Sequence, residues 1–232
     1  MTGEINMTTD SNTTTSTSYH HGNLRQELMT LAEKHLITGG IGELSLRALA
    51  REIGVSQTAP YRHFKDKNAL LAALATEGFR RFFIVCEASE NEPRADLSLL
   101  MFGLAYVQFA KLHTEMFHLM FGPVLQPRND YPELFAAGRE AIYKVRAGVE
   151  RGFKTDVIRQ LDDVASMAHT VWAAVHGVAT LMLDHGDTYG YHRDLDLQAE
   201  KSLRMMIAGL CTDPSDISKL PTAGTPAPTS AE

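Results

Sequence analysis

The chain has 232 residues, of which 44% are hydrophobic and 22% charged, and a formal net charge of −6. That length allows one sizeable core or two small ones, and the composition is that of an ordinary soluble protein. The acidic balance argues against a protein that coats DNA through charge alone, because such binding depends on many cations.

Residues 1–18 are rich in Thr, Ser and Asn, carry little to bury, and are expected to be a disordered tail. The start has neither a basic segment nor an apolar run, so no signal peptide is expected. Cys86 and Cys211 stand far apart without Cys-x-x-Cys spacing, which points to buried thiols in a reducing compartment, the cytoplasm.

From residue 23 the pattern is helical, and the fold class expected is all-α. Asn23 and Gln26 form a capping box for a first helix carrying Leu24, Leu28, Leu31, Ala32 and His35 on one side. Gly39 and Gly40 stop it. Leu46, Leu49, Ala50 and Ile53 then fall at i, i+3, i+4 and i+7 behind the N-cap Ser45, which predicts a short second helix. Gly54 supplies the left-handed turn that ends it. Ser56 caps a third short helix that exposes Gln57, Thr58, Ala59, Tyr61, Arg62 and His63. Two short helices around a glycine corner are a helix-turn-helix, whose second helix enters the major groove of DNA.

Asp66 caps a long fourth helix from Lys67 to about Ala88, bounded downstream by Pro93. A fifth runs from about Asp96 to Leu112. A sixth covers Thr114 to Phe121, ended by Gly122-Pro123. Pro132 opens a seventh, which reaches Phe153, at a first-turn position where proline is tolerated. An eighth spans about Leu161 to Asp184 and a ninth Leu195 to Leu210. Residues 213–232, rich in Pro, Thr and Ala, are expected to be a loose tail. The apolar stretches near Leu97–Ala110 and Val171–Leu183 read as buried helices too short to cross a bilayer, so no membrane partner is expected.

Charge is unevenly distributed. From His20 to Arg81 nine basic residues face six acidic ones, giving +3, while residues 82–232 carry −7. A mildly basic head on an acidic body suits a protein that touches DNA with one end only.

The string Ala50-x-x-x-Gly54-Val55-Ser56 continuing to Tyr61-Arg62-His63-Phe64-x-x-Lys67 is specific. With the helix before it, residues 20–80 resemble the DNA-binding domain of the tetracycline-repressor (TetR) family. The opening His20-His21-Gly22-Asn23-Leu24-Arg25 is similar to the start of the first helix in one of its subgroups. Trp172-Ala-Ala-Val-His176-Gly177, in the middle of the eighth helix, resembles the C-terminal WHG domain of a TetR-type subgroup. The resemblance implies a helix-turn-helix domain at 19–80 and a larger ligand-binding and dimerisation bundle at 81–212. It also implies sequence-specific binding of double-stranded DNA by a homodimer, and repression relieved by a small molecule. Pro60 departs from the pattern, which more often has Leu, Ile or Val there. Proline crowds the carbonyl four residues back, that of Ser56, so a tighter first turn is expected in a helix that survives.

The family pattern implies phosphate contacts from Tyr61, His63 and Lys67, the last at a helix start whose free N–H groups help hold an anion. Ser45 is a further phosphate candidate, at the start of the second helix, and Ser56, at the start of the third, is counted among the DNA-binding residues. Base reading falls to Gln57, Thr58 and Ala59, since Gln pairs bidentately with adenine and Thr touches a thymine methyl. Arg47 occupies a family position that reaches a guanine or a phosphate. Phe64 reads as core, and Arg51 and Arg62 as surface charges.

For the body, Phe102, Tyr106, Phe109, Met116, Phe117, Met120 and Phe121, with Trp172 and His176, are candidate cavity residues, since methionines and aromatics suit an adaptable apolar site. The same residue types serve any helical core. Trp172 and His176, at i and i+4, either line a cavity or brace the packing. The small residues Ala165, Ala168, Ala173, Ala174 and Ala179 of the eighth helix, with Leu203, Met206, Ile207 and Leu210 of the ninth, are assigned to the dimer interface on the resemblance. No His-x-x-x-His pair, Gly-rich phosphate loop or Gly-x-Ser-x-Gly is present, so no metal, cofactor or enzymatic activity is expected. The competing class is a helical ligand-binding or scaffold protein that has lost specific DNA binding, with Pro60 its support.

Overall fold

The computed structural model describes residues 24–185 and 195–214. The expected cap Asn23, the His20-His21 opening and most of both tails lie outside the described residues. Among those described, eight α-helices are present: α1 (Leu24–Glu43), α2 (Leu46–Ile53), α3 (Lys67–Glu90), α4 (Ala95–Leu112), α5 (Thr114–Phe121), α6 (Pro132–Lys154), α7 (Val164–His185) and α8 (Leu195–Leu210). The all-α expectation holds, with one difference in the motif. The third predicted helix is a 3₁₀ turn, Ala59–Arg62, in place of an α-helix.

Pro60 accounts for that difference. It has no N–H to give the Ser56 carbonyl, which accepts from Ala59 N–H at 3.0 Å instead. The three-residue pattern then propagates: Tyr61 N–H bonds to Thr58 O at 3.2 Å and His63 N–H to Pro60 O at 2.9 Å. Pro60 itself is buried, so the ring is wedged into the head core and holds the tightened geometry.

The neighbouring elements follow their local chemistry. Gly40 interrupts α1 with φ 69°, ψ −177°, and one further turn follows to Glu43. Ser45 is extended at the start of α2 but its side chain makes no capping bond. Gly54 adopts φ 85°, and its N–H and that of Val55 close on Ala50 O, the left-handed stop that the sequence requires. Asp66 caps α3 by accepting from Ala69 N–H at 2.8 Å. The eighth predicted helix begins three residues later than expected, because Asp163 is its cap: the carboxylate accepts from Ala165 N–H at 2.8 Å and Ser166 N–H at 2.9 Å. The Ser166 backbone bond holds that carboxyl below its ordinary range.

α3 is the axis of the molecule. Leu70, Leu71 and Leu74 bury into the head, while Phe79, Phe82 and Cys86 bury into the body, all at most 2% exposed. α3 runs unbroken through residue 80 and packs on α1, α4, α5 and α6. α4 is the body's central helix, in contact with α3, α5, α6, α7 and α8. Its apolar stretch spans all 18 residues of Ala95–Leu112, and a second spans 20 residues, Val164–Leu183. Both are long enough to cross a bilayer by length and composition, which corrects the shorter estimate from sequence. The packing of α4 explains its apolarity; α7 leaves one side uncovered. Behind α6, Arg159 N–H bonds to Leu210 O at 2.8 Å and Thr212 N–H to Val157 O at 2.9 Å, pinning the α6–α7 loop to the end of α8.

Both cysteines are free and buried, and burial pushes the Cys86 thiol up to about 12. Gly152 is where this packing is least tolerant. A Cβ there would stand 2.3 Å from Cγ1 and 2.8 Å from Cβ of Ile158. Gly152→Ala is therefore expected to lower stability by about 1–3 kcal/mol in urea unfolding, the usual cost of overpacking. Unchanged or raised stability would show that the loop carrying Ile158 yields freely.

Candidate DNA-reading head and the cavity behind it

Most of the candidate contacts of the head are exposed. Ser45 and Arg47 are exposed at the start of α2, and Ser56, Gln57 and Thr58 are exposed on the loop entering the 3₁₀ turn. Thr58, not the expected Ser56, holds the cap position of the turn, without a side-chain capping bond, because the Pro60-tightened turn starts only at Ala59; the Ser56 and Thr58 hydroxyls share a hydrogen bond at 3.2 Å. Ala59 is half-buried. Tyr61 projects from the turn at 45% exposure, large for a tyrosine with no intramolecular hydrogen bond from its hydroxyl among the described residues. Phe64 is buried beneath the turn, with the Arg25 guanidinium 5.3 Å from its ring centre. Lys67 donates to Gly42 O at 3.4 Å, which places its ammonium beside the end of α1. His63 is exposed but turns toward a cleft shared with Asp130 and Glu133, between head and body. Among the phosphate candidates, then, Tyr61 projects from the turn, Lys67 reaches the end of α1 and His63 borders the cleft.

The head is tied to the body in two ways. Arg81 of α3 makes a two-pronged ion pair with Glu33 of α1, at 2.5 and 2.8 Å, and also reaches Glu77 at 3.1 Å. The Glu33 hydrogen bonds raise the arginine pKa further. Gly78 of α3 then faces Met116 and Met120 of α5 so closely that a Cβ would lie 2.7 Å from the Met120 sulfur.

Next to that contact is a cavity of about 360 Å³. Its walls are Phe79 from α3, Met120 and Phe121 from α5, Arg128 from the loop, Leu134, Phe135, Gly138, Arg139, Ala141 and Ile142 from α6, and His169 and Trp172 from α7. Of the nine residues proposed from sequence, Met120, Phe121 and Trp172 are on this wall. Phe102, Tyr106, Phe109, Met116 and Phe117 pack as core, each at most 5% exposed. His176 stands one layer behind. Its ring stacks on Trp172 at 5.3 Å and on Phe117 at 5.6 Å, and its Nδ1 shares a 2.8 Å hydrogen bond with the Tyr106 hydroxyl. Sequence periodicity could not single out the wall residues of α6, because Phe135, Gly138, Arg139 and Ile142 fit an ordinary amphipathic helix. The one available signal is Phe135, Arg139 and Tyr143 at i, i+4 and i+8, a cation between two aromatic rings.

Residues 28–74 match the family model described as bacterial regulatory proteins of the tetR family, and residues 99–210 match a tetracyclin repressor-like C-terminal domain. The chain belongs to the TetR family. The C-terminal match includes Trp172, His176 and Gly177. An HTH-type transcriptional regulator of Staphylococcus aureus is 25% identical over 141 residues, covering 59% of this chain and 76% of that protein. A Rhodococcus sp. RHA1 protein of unknown function superposes with a TM-score of 0.70 at 33% identity, covering 84% of this chain and 99% of that one. The TetR family regulator PfmR of Thermus thermophilus gives 0.60 at 20% identity, over 78% and 96% of the two chains, and so shows the shared fold. Membership in TetR makes the exposed helix-turn-helix face that of a DNA-binding transcriptional regulator, not a scaffold's packing unit.

Burial pushes the His176 pKa below the ordinary value of 6.5. The folded TetR body therefore favours the neutral ring, and the unfolded chain binds the proton more readily. Stability contributed by His176 is full above about pH 6.5 and is lost as the pH falls from there toward the folded-state value. Urea unfolding of wild type and His176→Gln at about pH 7.5 and about 5.5 should show the gap between them narrowing in acid; a constant gap would contradict this.

Proposed function

We propose that the chain is a cytoplasmic homodimeric repressor, released from a palindromic operator by a small molecule bound in the cavity beside Phe79. The observation that carries this reading is a shared helix. α3 begins at Lys67 in the DNA-reading head and supplies Phe79 to the cavity wall. A ligand pressing on Phe79 acts on the element that sets the head's position. It shifts the equilibrium only by the difference between its affinities for the released and DNA-bound arrangements.

The second copy is expected on the uncovered side of α7 and α8. Leu181 is 59% exposed there and Met205 76%, an unusual loss of apolar burial for a lone chain. Gly177 meets no atom within 4 Å at its Cβ position, so nothing among the described residues explains a glycine in mid-helix. Close approach of a partner helix does. Of the residues assigned from sequence, Ala165 and Ala173 are exposed, Ala174, Met206 and Leu210 are half-buried, and Ala168, Ala179, Leu203 and Ile207 are buried. Two heads so joined read half-sites about 34–36 Å apart, or a multiple of that.

In-vitro selection from random DNA at near-physiological salt tests the reading head. An enriched palindrome is expected, and Gln57→Ala should weaken its binding by about tenfold and relax one base-pair preference per half-site. Failure to enrich any sequence would favour a helical ligand-binding protein without specific DNA binding, for which the 3₁₀ form of the reading segment speaks. Leu181→Asp should convert the dimer to monomer in sedimentation and abolish tight operator binding. A variant that stays dimeric would place the interface elsewhere.

A further inference from the structure

The cavity wall carries a charge pattern that release by shape alone does not require. Arg128 donates through one Nη to Met120 O at 2.6 Å and Gly122 O at 3.4 Å. These carbonyls orient the guanidinium but leave its charge uncompensated. Burial alone lowers its pKa, so the cation is partly stripped of water. Arg139 lies over the Phe135 ring, 5.7 Å from its centre, and donates to the Tyr143 hydroxyl. Neither guanidinium has a carboxylate partner among the described residues, and no Asp or Glu is on the cavity wall. His169, the remaining titratable group there, lies against Trp172. This cation-only wall sits in the part of the chain that carries the protein's negative charge, so composition does not produce it.

The rest of the cavity is apolar and aromatic. A cation drawn out of water without a counter-charge is destabilising, and a ligand anion relieves that cost while an apolar body fills the space. A volume of about 360 Å³ is at the lower end of the range for small-molecule sites. We propose that the ligand is an organic acid, its ring-bearing apolar body against Phe79, Phe121 and Trp172 and its carboxylate held by Arg128 and Arg139. This assignment rests on the cavity's being the effector site.

Two fluorescent probes of nearly one shape separate charge from apolarity: anionic anilinonaphthalenesulfonate and neutral phenylnaphthylamine. Trp172 is the chain's single tryptophan and borders this cavity, so its quenching reports a probe bound nearby, and the arginine variants tie the signal to the cavity wall. Both probes are expected to quench Trp172. Arg128→Gln and Arg139→Gln should each weaken the sulfonate by about tenfold, the size of a lost charge-assisted bond, and leave the neutral probe unchanged. Arg128→Lys, which keeps the charge, should retain most of the affinity, and Arg139→Gln, on an exposed side chain, guards against misfolding at Arg128. Equal effects on both probes would overturn the organic-acid assignment and leave the cavity as a neutral-ligand site. Absence of quenching by either probe would overturn the cavity reading and the assignment with it. Arginine-dependent quenching with operator affinity unchanged would uphold the anion site and remove it from the release mechanism.

Discussion

Everything in this molecule depends on one helix serving two cores. α3 buries leucines at its head end and phenylalanines at its body end along a single stripe. Phe82 is the deepest anchor: Phe102, Tyr106 and Phe109 meet its ring edge-on at 5.4–5.6 Å. Each such aromatic contributes on the order of 2 kcal/mol through burial alone. The head is therefore not a module on a loose tether. Its orientation is part of the body's packing, and Arg81 closes the angle from the other side by gripping Glu33 of α1.

Trp172 and His176 show how packing and binding share residues. The tryptophan stacks on His176, with 18° between the rings, and also borders the cavity. His176 is braced by Tyr106, Phe117 and Phe121, so the indole is held from behind by an aromatic layer. A preformed wall of this kind loses little freedom when a ligand arrives. The two sequence alternatives, lining and bracing, are thus divided between the two residues.

The head was legible because its determinants are local. Gly54 and Asp66 act within one turn of themselves, and the end of α2 and the start of α3 are where those residues put them. The reading segment was less so. The effect of Pro60 depends on its burial under the turn, and burial is a tertiary fact. The cavity was hardest to see, since its wall draws on α3, α5, α6, α7 and a loop. Large apolar residues announce burial but not which side of a packed layer stays empty. Gly138 illustrates the point: its missing side chain leaves room next to Phe79, and one glycine in an amphipathic helix carries no such message. Arg128 was invisible for the same reason, because only the fold turns a loop arginine inward.

The crossing of α3 and α5 at Gly78 has a mechanical consequence. Two helices that met through branched side chains would interlock like gear teeth, and a change of angle would require the teeth to disengage. Here a bare stretch of backbone rests on two thioethers, each on an unbranched chain with three rotatable bonds. A change of angle at such a greased bearing would be taken up by re-torsion of Met116 and Met120, with no hydrogen bond of either helix broken. The same sulfurs make the bearing perishable, since conversion of either to a sulfoxide would replace lubricant with a polar burr and jam the rotation.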